Sequence, residues 1–377
     1  MRILSYRNVE VPATTAHSLN SVRSSYQMSS RAPVDFVASR GRCQVPFAKL
    51  YQFSLEDAPQ FRLRLPPTRQ KALASLWRKA YALHWLRRHR QEFPLVYVSQ
   101  ARPLKFFARV KALRLWQFKL VLECHAESDS WGRELGAADG IVYTSGSLRE
   151  VMFSRFPCLR NKPVFISGHK VRSIPECPPE SELATPPGAP FVLCYVGSIL
   201  PWKGLETLVA AGPRLPPGSE VLIVGGQPDD AYRESLVGRA RELGVAARIR
   251  FTPFVPPAEL AGLLKSVGGF VLPLPGEEQG STPIKLFEYL SWARPVLATN
   301  LPSTRELIEH GRNGLLFAPG SAGSLAEQAG VLLRMSASER RALVGAGLES
   351  LRPFLFENWL NGIFAWFETL LAAVPGT

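Results

Sequence analysis

The 377-residue chain is 46% hydrophobic and 20% charged, with a formal net charge of +14. This excludes extended disorder and leaves room for two cores of roughly 150–200 residues each. Its five cysteines, Cys43, Cys124, Cys158, Cys177 and Cys194, are odd in number and show no Cys-x-x-Cys spacing, which excludes a disulfide scaffold and a local zinc or redox motif and points to a reducing, cytosolic compartment. The charge is uneven: residues 1–188 carry 29 Lys and Arg against 14 Asp and Glu (+15), whereas 189–377 carry 16 against 17 (−1), so two domains with different partners are expected.

Met1-Arg2-Ile3-Leu4-Ser5-Tyr6-Arg7 reaches charge too soon for a signal-peptide core. The apolar stretch Gly362 to Val374 carries Glu368 and is shorter than the about 20 residues of a membrane span. A cytoplasmic protein, peripheral to the membrane at most, is the expectation. Ile3 to Ser5 and Val34 to Ala38 read as strands around a helix from about Ser18 to Met28, and Thr68 to Glu92 as a long helix. Strands follow at Leu95 to Val98, Lys119 to Glu123, Gly140 to Thr144 and Pro163 to Ile166. Six prolines between Pro175 and Pro190 mark a linker, because proline blocks helix interiors and central strands.

Beyond it, apolar runs alternate with helical patterns: strands Phe191 to Val196, Glu220 to Val224, Arg248 to Phe251, Phe270 to Leu274 and Pro295 to Thr299, and helices Leu205 to Ala211, Tyr232 to Leu243, Ala258 to Ser266 and Ile284 to Ser291. Short, wholly apolar strands between helices indicate a parallel sheet covered on both faces, with ligands at the carboxyl ends of the strands. The expected layout is a domain over 1–174, the Pro-rich linker 175–190, a second α/β domain over 191–352, and a C-terminal helix in 353–377 that packs back toward the first domain.

Two segments carry chemistry. In Tyr195-Val196-Gly197-Ser198-Ile199-Leu200-Pro201-Trp202-Lys203-Gly204 a strand ends at glycine, a loop bears a lysine and a helix begins. Free N–H groups and the helix dipole at such a place suit phosphate, and Lys203 adds a full charge; an ordinary connection with a solvated lysine has the same appearance. In Gly280-Ser281-Thr282-Pro283-Ile284-Lys285-Leu286-Phe287-Glu288, Ser281 or Thr282 caps a helix with Pro283 at its start, and Lys285 and Glu288 share one face, as a surface ion pair also would. The pair Asp229-Asp230 sits at a helix start and reads as a cap; a metal site needs more ligands.

With Val224-Gly225-Gly226, Phe251 to Val255 and Glu306 to Phe317, these segments resemble, in order and spacing, the nucleotide-sugar domain of a family 4 glycosyltransferase, of the glycogen-synthase- and mannosyltransferase-like superfamily. The resemblance implies the GT-B fold: two Rossmann-like parallel-sheet α/β domains facing each other across a cleft. It implies transfer of a sugar from a nucleotide diphosphosugar to an acceptor hydroxyl with retention, in polysaccharide or glycolipid synthesis. Lys203 would contact the donor diphosphate, Gly197, Ser198 and Gly225 would line the phosphate end, and Phe254 would lie against the base. Backbone N–H groups around Ser281 to Ile284, a stretch that includes Thr282 and Pro283, would hold phosphate and sugar. Glu288 would bind the ribose hydroxyls, and Lys285 would lie near the phosphates or brace Glu288. The chain departs from the family pattern at Gly280, where a first Glu is frequent (Glu277 and Glu278 lie just upstream), at Ser198, often Arg, and at Pro253, often Gly.

In the first half, Val121-Leu122-Glu123-Cys124-His125 ends a strand, and the resemblance places His125 against the donor sugar. His17, in the first strand–helix loop, is either a cleft residue or a helix-start residue. No cofactor, metal or nucleic-acid partner is expected; the partners are the sugar nucleotide and a glycan or lipid-linked acceptor. The basic and aromatic run from Arg62 to Lys119 suits an anionic membrane. Two other readings are a sugar-nucleotide epimerase, whose carboxylate and histidine set is not seen, and a non-catalytic GT-B-fold protein that binds membrane or another polyanion.

Overall fold

The computed structural model describes residues 1–13, 16–51, 53–56, 58–92, 94–127, 131–226, 230–253, 255, 257–276 and 283–372; of Ala16, His17, Lys49, Pro257, Ala258, Ala261 and Lys265 it describes the backbone alone. Contacts divide the chain into two units. One comprises Met1–Thr144, Leu148–Gly168 and the chain from Phe356; the other comprises Ser145–Ser147 and His169–Leu355.

The first unit is built on seven strands: β1 (Ile3–Val11), β2 (Val34–Arg40), β3 (Phe61–Arg64), β4 (Leu95–Val98), β5 (Lys119–Cys124), β6 (Gly140–Tyr143) and β7 (Val164–Ile166). They pair in parallel in the order β3-β2-β1-β4-β5-β6-β7. The connections carry α1 (Ala16–Met28), α2 (Phe47–Tyr51), α3 (Lys71–Arg88), α4 (Ala101–Ala112) and α5 (Gly146–Arg155). Alternate strand residues serve opposite faces, as the pleat requires. Ile3, Tyr97, Val121 and Val142 pack with Val22 of α1, whereas Leu4, Val98, Leu122 and Ile141 pack with Trp85 of α3 and Leu104 of α4. Asp35, 2% exposed on β2, accepts from Tyr81 Oη at 2.8 Å, Trp85 Nε1 at 2.9 Å and Arg64 Nε at 3.2 Å, tying α3 and β3 to the sheet. Helix α3 is shorter than the predicted Thr68 to Glu92, because Thr68 Oγ1 accepts from Gln70 N at 3.1 Å and holds the chain in a turn after Pro66-Pro67.

The second unit holds α6 (Glu180–Leu183), β8 (Phe191–Val196), α7 (Leu205–Ala211), β9 (Ser219–Val224), α8 (Ala231–Glu242), β10 (Ile249–Thr252), α9 (Pro257–Leu263) and β11 (Val267–Leu272). It continues with α10 (Ile284–Ser291), β12 (Val296–Thr299), α11 (Pro302–Arg305), β13 (Leu315–Phe317), α12 (Ala322–Arg334) and α13 (Ala337–Ser350). Its six strands are also parallel, in the order β10-β9-β8-β11-β12-β13. Asp230 caps α8, accepting from the N–H groups of Tyr232 at 2.9 Å and Arg233 at 3.3 Å. The Pro-rich 175–190 segment lies within this unit rather than between the two, and the chain crosses at Gly168/His169 and Leu355/Phe356. The segment is held there by buried Leu183, packed with Val344 and Leu348, and by Arg340, whose Nη1 donates to Leu183 O at 3.0 Å and Thr185 Oγ1 at 3.1 Å.

Helix α14 (Phe356–Ala372) returns the chain to the first unit. Its Trp359, Leu360, Ile363, Phe364, Phe367 and Leu370 are buried on the α1 side of the first sheet. In each sheet the strand order reverses midway, between β1 and β4 and between β8 and β11. Such a switch point opens a crevice beyond the strand ends, where open α/β sheets bind ligands.

Candidate functional site

In the second unit the strand ends at the switch point meet backbone to backbone. Gly197 follows β8 and donates to Val224 O at 3.0 Å, and Gly225 follows β9 with φ +135°. A β-carbon on Gly225 would fall 1.9 Å from Gly197 O, so only glycine lets these ends close. Gly204, which opens α7 at φ +69°, stands against the residue after β11: a β-carbon there would lie 1.8 Å from Pro273 O. Between them runs the loop of Ser198 and Lys203. Tyr195 Oη donates to Ser198 O at 2.9 Å and pins its start; Lys203 ends a 3-10 turn, half-buried.

Helix α10 is fastened to the same place. Tyr289 Oη accepts from Val196 N at 2.9 Å and donates to Val196 O at 3.0 Å. The same helix carries Lys285 and Glu288, whose Nζ and Oε2 lie 2.6 Å apart, both about a third exposed. Burial raises the Tyr289 phenol well above its ordinary value and keeps it a neutral donor and acceptor. Pro283 occupies the N-cap position of α10, without a side-chain cap hydrogen bond, and Ile284 begins the helix, one residue later than the Pro283 start expected. Phe254, Ser281 and Thr282 lie outside the described residues, as do Glu277, Glu278 and Gly280 and the side chain of His17.

In the first unit His125 follows β5, and its Nε2 lies 3.5 Å from Glu123 Oε2. The sequence reading missed the group behind them: Arg7 on β1 is fully buried and donates through Nη1 to that same oxygen at 2.7 Å. A charged residue in a half-apolar strand reads as solvated; its partner stands 116 positions away, which only the fold reveals. Tyr195 and Tyr289, which position the second-unit loop, stand within or next to the two motif segments without any local sign of that role. Among the described residues no group of three or more His, Cys, Asp or Glu is placed to hold a metal ion.

The basic surface is also in the first unit. His84, Arg87, Arg88, Arg90 and Gln91 line a cavity of about 430 Å³ at the end of α3. Leu73 and Leu76 on α3 and Leu113 and Leu115 after α4 are exposed. Among the described residues no helix is long and apolar enough to cross a membrane.

Two parallel-sheet units, each with its switch point, define the GT-B fold of glycosyltransferases, and solved structures bear this out. The apo lipopolysaccharide outer core galactosyltransferase WaaB superposes with a TM-score of 0.72 at 16% identity, over 98% of this chain and 99% of that one. HepE of Anabaena, solved with UDP, gives 0.72 at 17% identity over 98% and 100%. Sucrose-phosphate synthase of Thermosynechococcus elongatus gives 0.71 at 19% over 99% and 100%. Residues 190–335 match the family model described as Glycosyl transferases group 1. A D-inositol 3-phosphate glycosyltransferase of Nocardia farcinica is 29% identical over 201 residues, 52% of this chain and 43% of that protein. That of Mycobacterium tuberculosis is 28% identical over 180 residues, 47% and 37%. The matched part is thus less than half the length of these relatives.

Proposed function

We propose that the chain is a retaining family 4 glycosyltransferase that moves a hexose from a nucleotide diphosphosugar to an acceptor hydroxyl in the synthesis of a cell-surface polysaccharide or glycolipid. The observation that carries this reading is the backbone cradle of Gly197, Gly204 and Gly225 at the second switch point, within the segment that matches group 1 glycosyl transferases. Lys203 supplies positive charge to the departing diphosphate, and Glu288, braced by Lys285, receives the ribose hydroxyls. The start of α10, with Ser281, Thr282, Pro283 and Ile284, holds phosphate and sugar beside the close backbone approach at Gly197, Gly204 and Gly225, and Phe254 lies against the base. The bond from the anomeric carbon to the diphosphate breaks as the acceptor oxygen bonds to that carbon on the same face. The acceptor proton leaves with the diphosphate, and neither metal nor cofactor is required. His125 meets the donor sugar. The acceptor is a glycan or a lipid-linked sugar at the cytoplasmic face of an anionic membrane, approached by the exposed Arg87, Arg88 and Arg90; nucleic acid is not a partner.

Release of nucleoside diphosphate from UDP-, GDP- and ADP-hexoses, with a bacterial lipid extract as acceptor, tests the reading. UDP-glucose is tried first, because HepE, of the same fold, has been solved with it. Lys203→Ala lowers kcat by about 10²–10³, the usual loss for one stabilising charge or donor, and Glu288→Gln weakens donor binding instead. Release from none of the donors by protein that binds none of them refutes the proposal.

A further inference from the structure

The Arg7–Glu123 pair is built with more care than a core position demands. Arg7 and Glu123 stand on β1 and β5 with β4 between them, so the two side chains together bridge two strand spacings, roughly 10 Å. It crosses over the Tyr97 ring at 4.5 Å from the centroid. Its Nε donates to Ser5 Oγ at 3.1 Å, and that hydroxyl meets Ser25 Oγ of α1 at 2.9 Å. Arg78 of α3 donates to the Arg7 carbonyl at 3.3 Å. Side chain and backbone are thus both held, and Glu123, 3% exposed, is held by Arg7. A buried ion pair is a poor source of stability, since apolar residues of similar volume commonly do as well or better. What this pair provides is a carboxylate oxygen in a fixed place, and His125 Nε2 faces that oxygen.

We infer that Arg7 and Glu123 are positioning residues for His125: Arg7 fixes Glu123 Oε2, and Oε2 holds the imidazole in one orientation with its proton on Nε2. A carboxylate that faces one ring nitrogen sets which nitrogen carries the proton. Because the oxygen is shared with a guanidinium, the carboxylate orients the ring without an unbalanced charge beside it. Glu123 and His125 lie two residues apart and so point to the same face of the sheet, and Cys124 between them points to the other. The inference rests on the proposed reaction for its purpose, since there His125 meets the donor sugar; its geometry concerns the first unit alone.

The test uses ¹⁵N-labelled full-length protein at about pH 8.5, above the ordinary imidazole range, with His125 assigned by the signal lost in His125→Gln. Long-range ¹H–¹⁵N correlations are expected to show a single Nε2–H tautomer; an Nδ1–H ring or exchange between tautomers overturns the inference. The double variant Arg7→Met/Glu123→Leu replaces the ion pair by apolar residues. It is expected to melt no lower than the parent, to show His125 exchanging between tautomers, and to release nucleotide roughly tenfold more slowly, as when the group orienting a functional histidine is removed. A stable double variant with full activity and an unchanged tautomer overturns the inference. If the double variant fails to fold, the tautomer in the unsubstituted protein decides. Full activity of His125→Gln, by contrast, removes His125 from the proposed reaction and leaves the tautomer result standing.

Discussion

Gly225→Ala is the most direct test of the backbone cradle. The new β-carbon would fall 1.9 Å from Gly197 O, far inside the roughly 3.3 Å of the closest ordinary C···O contacts. The obstacle is backbone, so no side-chain rotation relieves it. At φ +135° a non-glycine residue is strained by about 1–3 kcal/mol. Parting the two strand ends also threatens the bonds Gly197 N to Val224 O at 3.0 Å and Gly225 N to Thr252 O at 3.1 Å, each worth about 1 kcal/mol net. The expected loss is therefore about 3–5 kcal/mol, a fall of about 1–2 M in the urea midpoint of the second unit. On the proposed function, donor binding, followed by titration with UDP-glucose, is lost with it. Gly218→Ala is the control: φ is +78° but nothing lies within 4 Å of the added carbon, so only the strain of about 1–2 kcal/mol remains. If the two variants unfold at the same urea concentration and bind donor equally, the close approach is not what requires glycine at 225.

Asp35→Ala strands the Tyr81 hydroxyl and Trp85 indole, and urea denaturation should show a loss of about 2–5 kcal/mol; Asp35→Asn, which keeps an acceptor, should lose about half of that or less. A thiol reagent at about pH 8 should modify exposed Cys158 first and leave Cys124 and Cys194 until unfolding, since burial pushes their thiols up to about 12. Fast labelling of either buried thiol in folded protein would contradict the packing of β5 or β8. Burial also raises the phenols of Tyr97 and Tyr289 well above the unfolded value. Because the folded pKa is the higher one, their contribution to stability is complete below about pH 10 and declines as pH rises above it. Urea midpoints that stay level from pH 9 to about pH 11.5 would refute this.

The sequence shows an element most clearly where one environment covers all of it. Strand β8 is an unbroken apolar run, and β9 and β11 become apolar runs from Val221 and Phe270 on, because residues of both faces pack into a core. Strand β3, Phe61–Arg64, alternates with arginine at the sheet edge and carries too few residues for a pattern to stand out. Helix α4 hides behind Pro103, which sits in its first turn, where no backbone N–H is needed. Helices α12 and α13 include Gly323, Gly330, Gly345 and Gly347, which weaken the local helical signal that packing then overrides. In the candidate site, motif order points to Gly197, Lys203, Lys285, Glu288 and His125. Of the groups that hold them, Tyr195 acts on Ser198 three residues on, whereas Tyr289 and Arg7 act across 93 and 116 residues, and no local pattern records such distant partners.

The path of the chain bears on how the protein is made. The second unit is almost one continuous stretch, whereas the first needs α14, the last helix described, to cover the α1 side of its sheet. On a ribosome that face, with Ile3, Val22 and Tyr97, is synthesised before the second unit and waits for Trp359, Ile363 and Phe367 until the second unit has emerged. The half translated first is therefore finished last, and during translation its uncovered apolar face is the part of the molecule that a chaperone has most reason to shield.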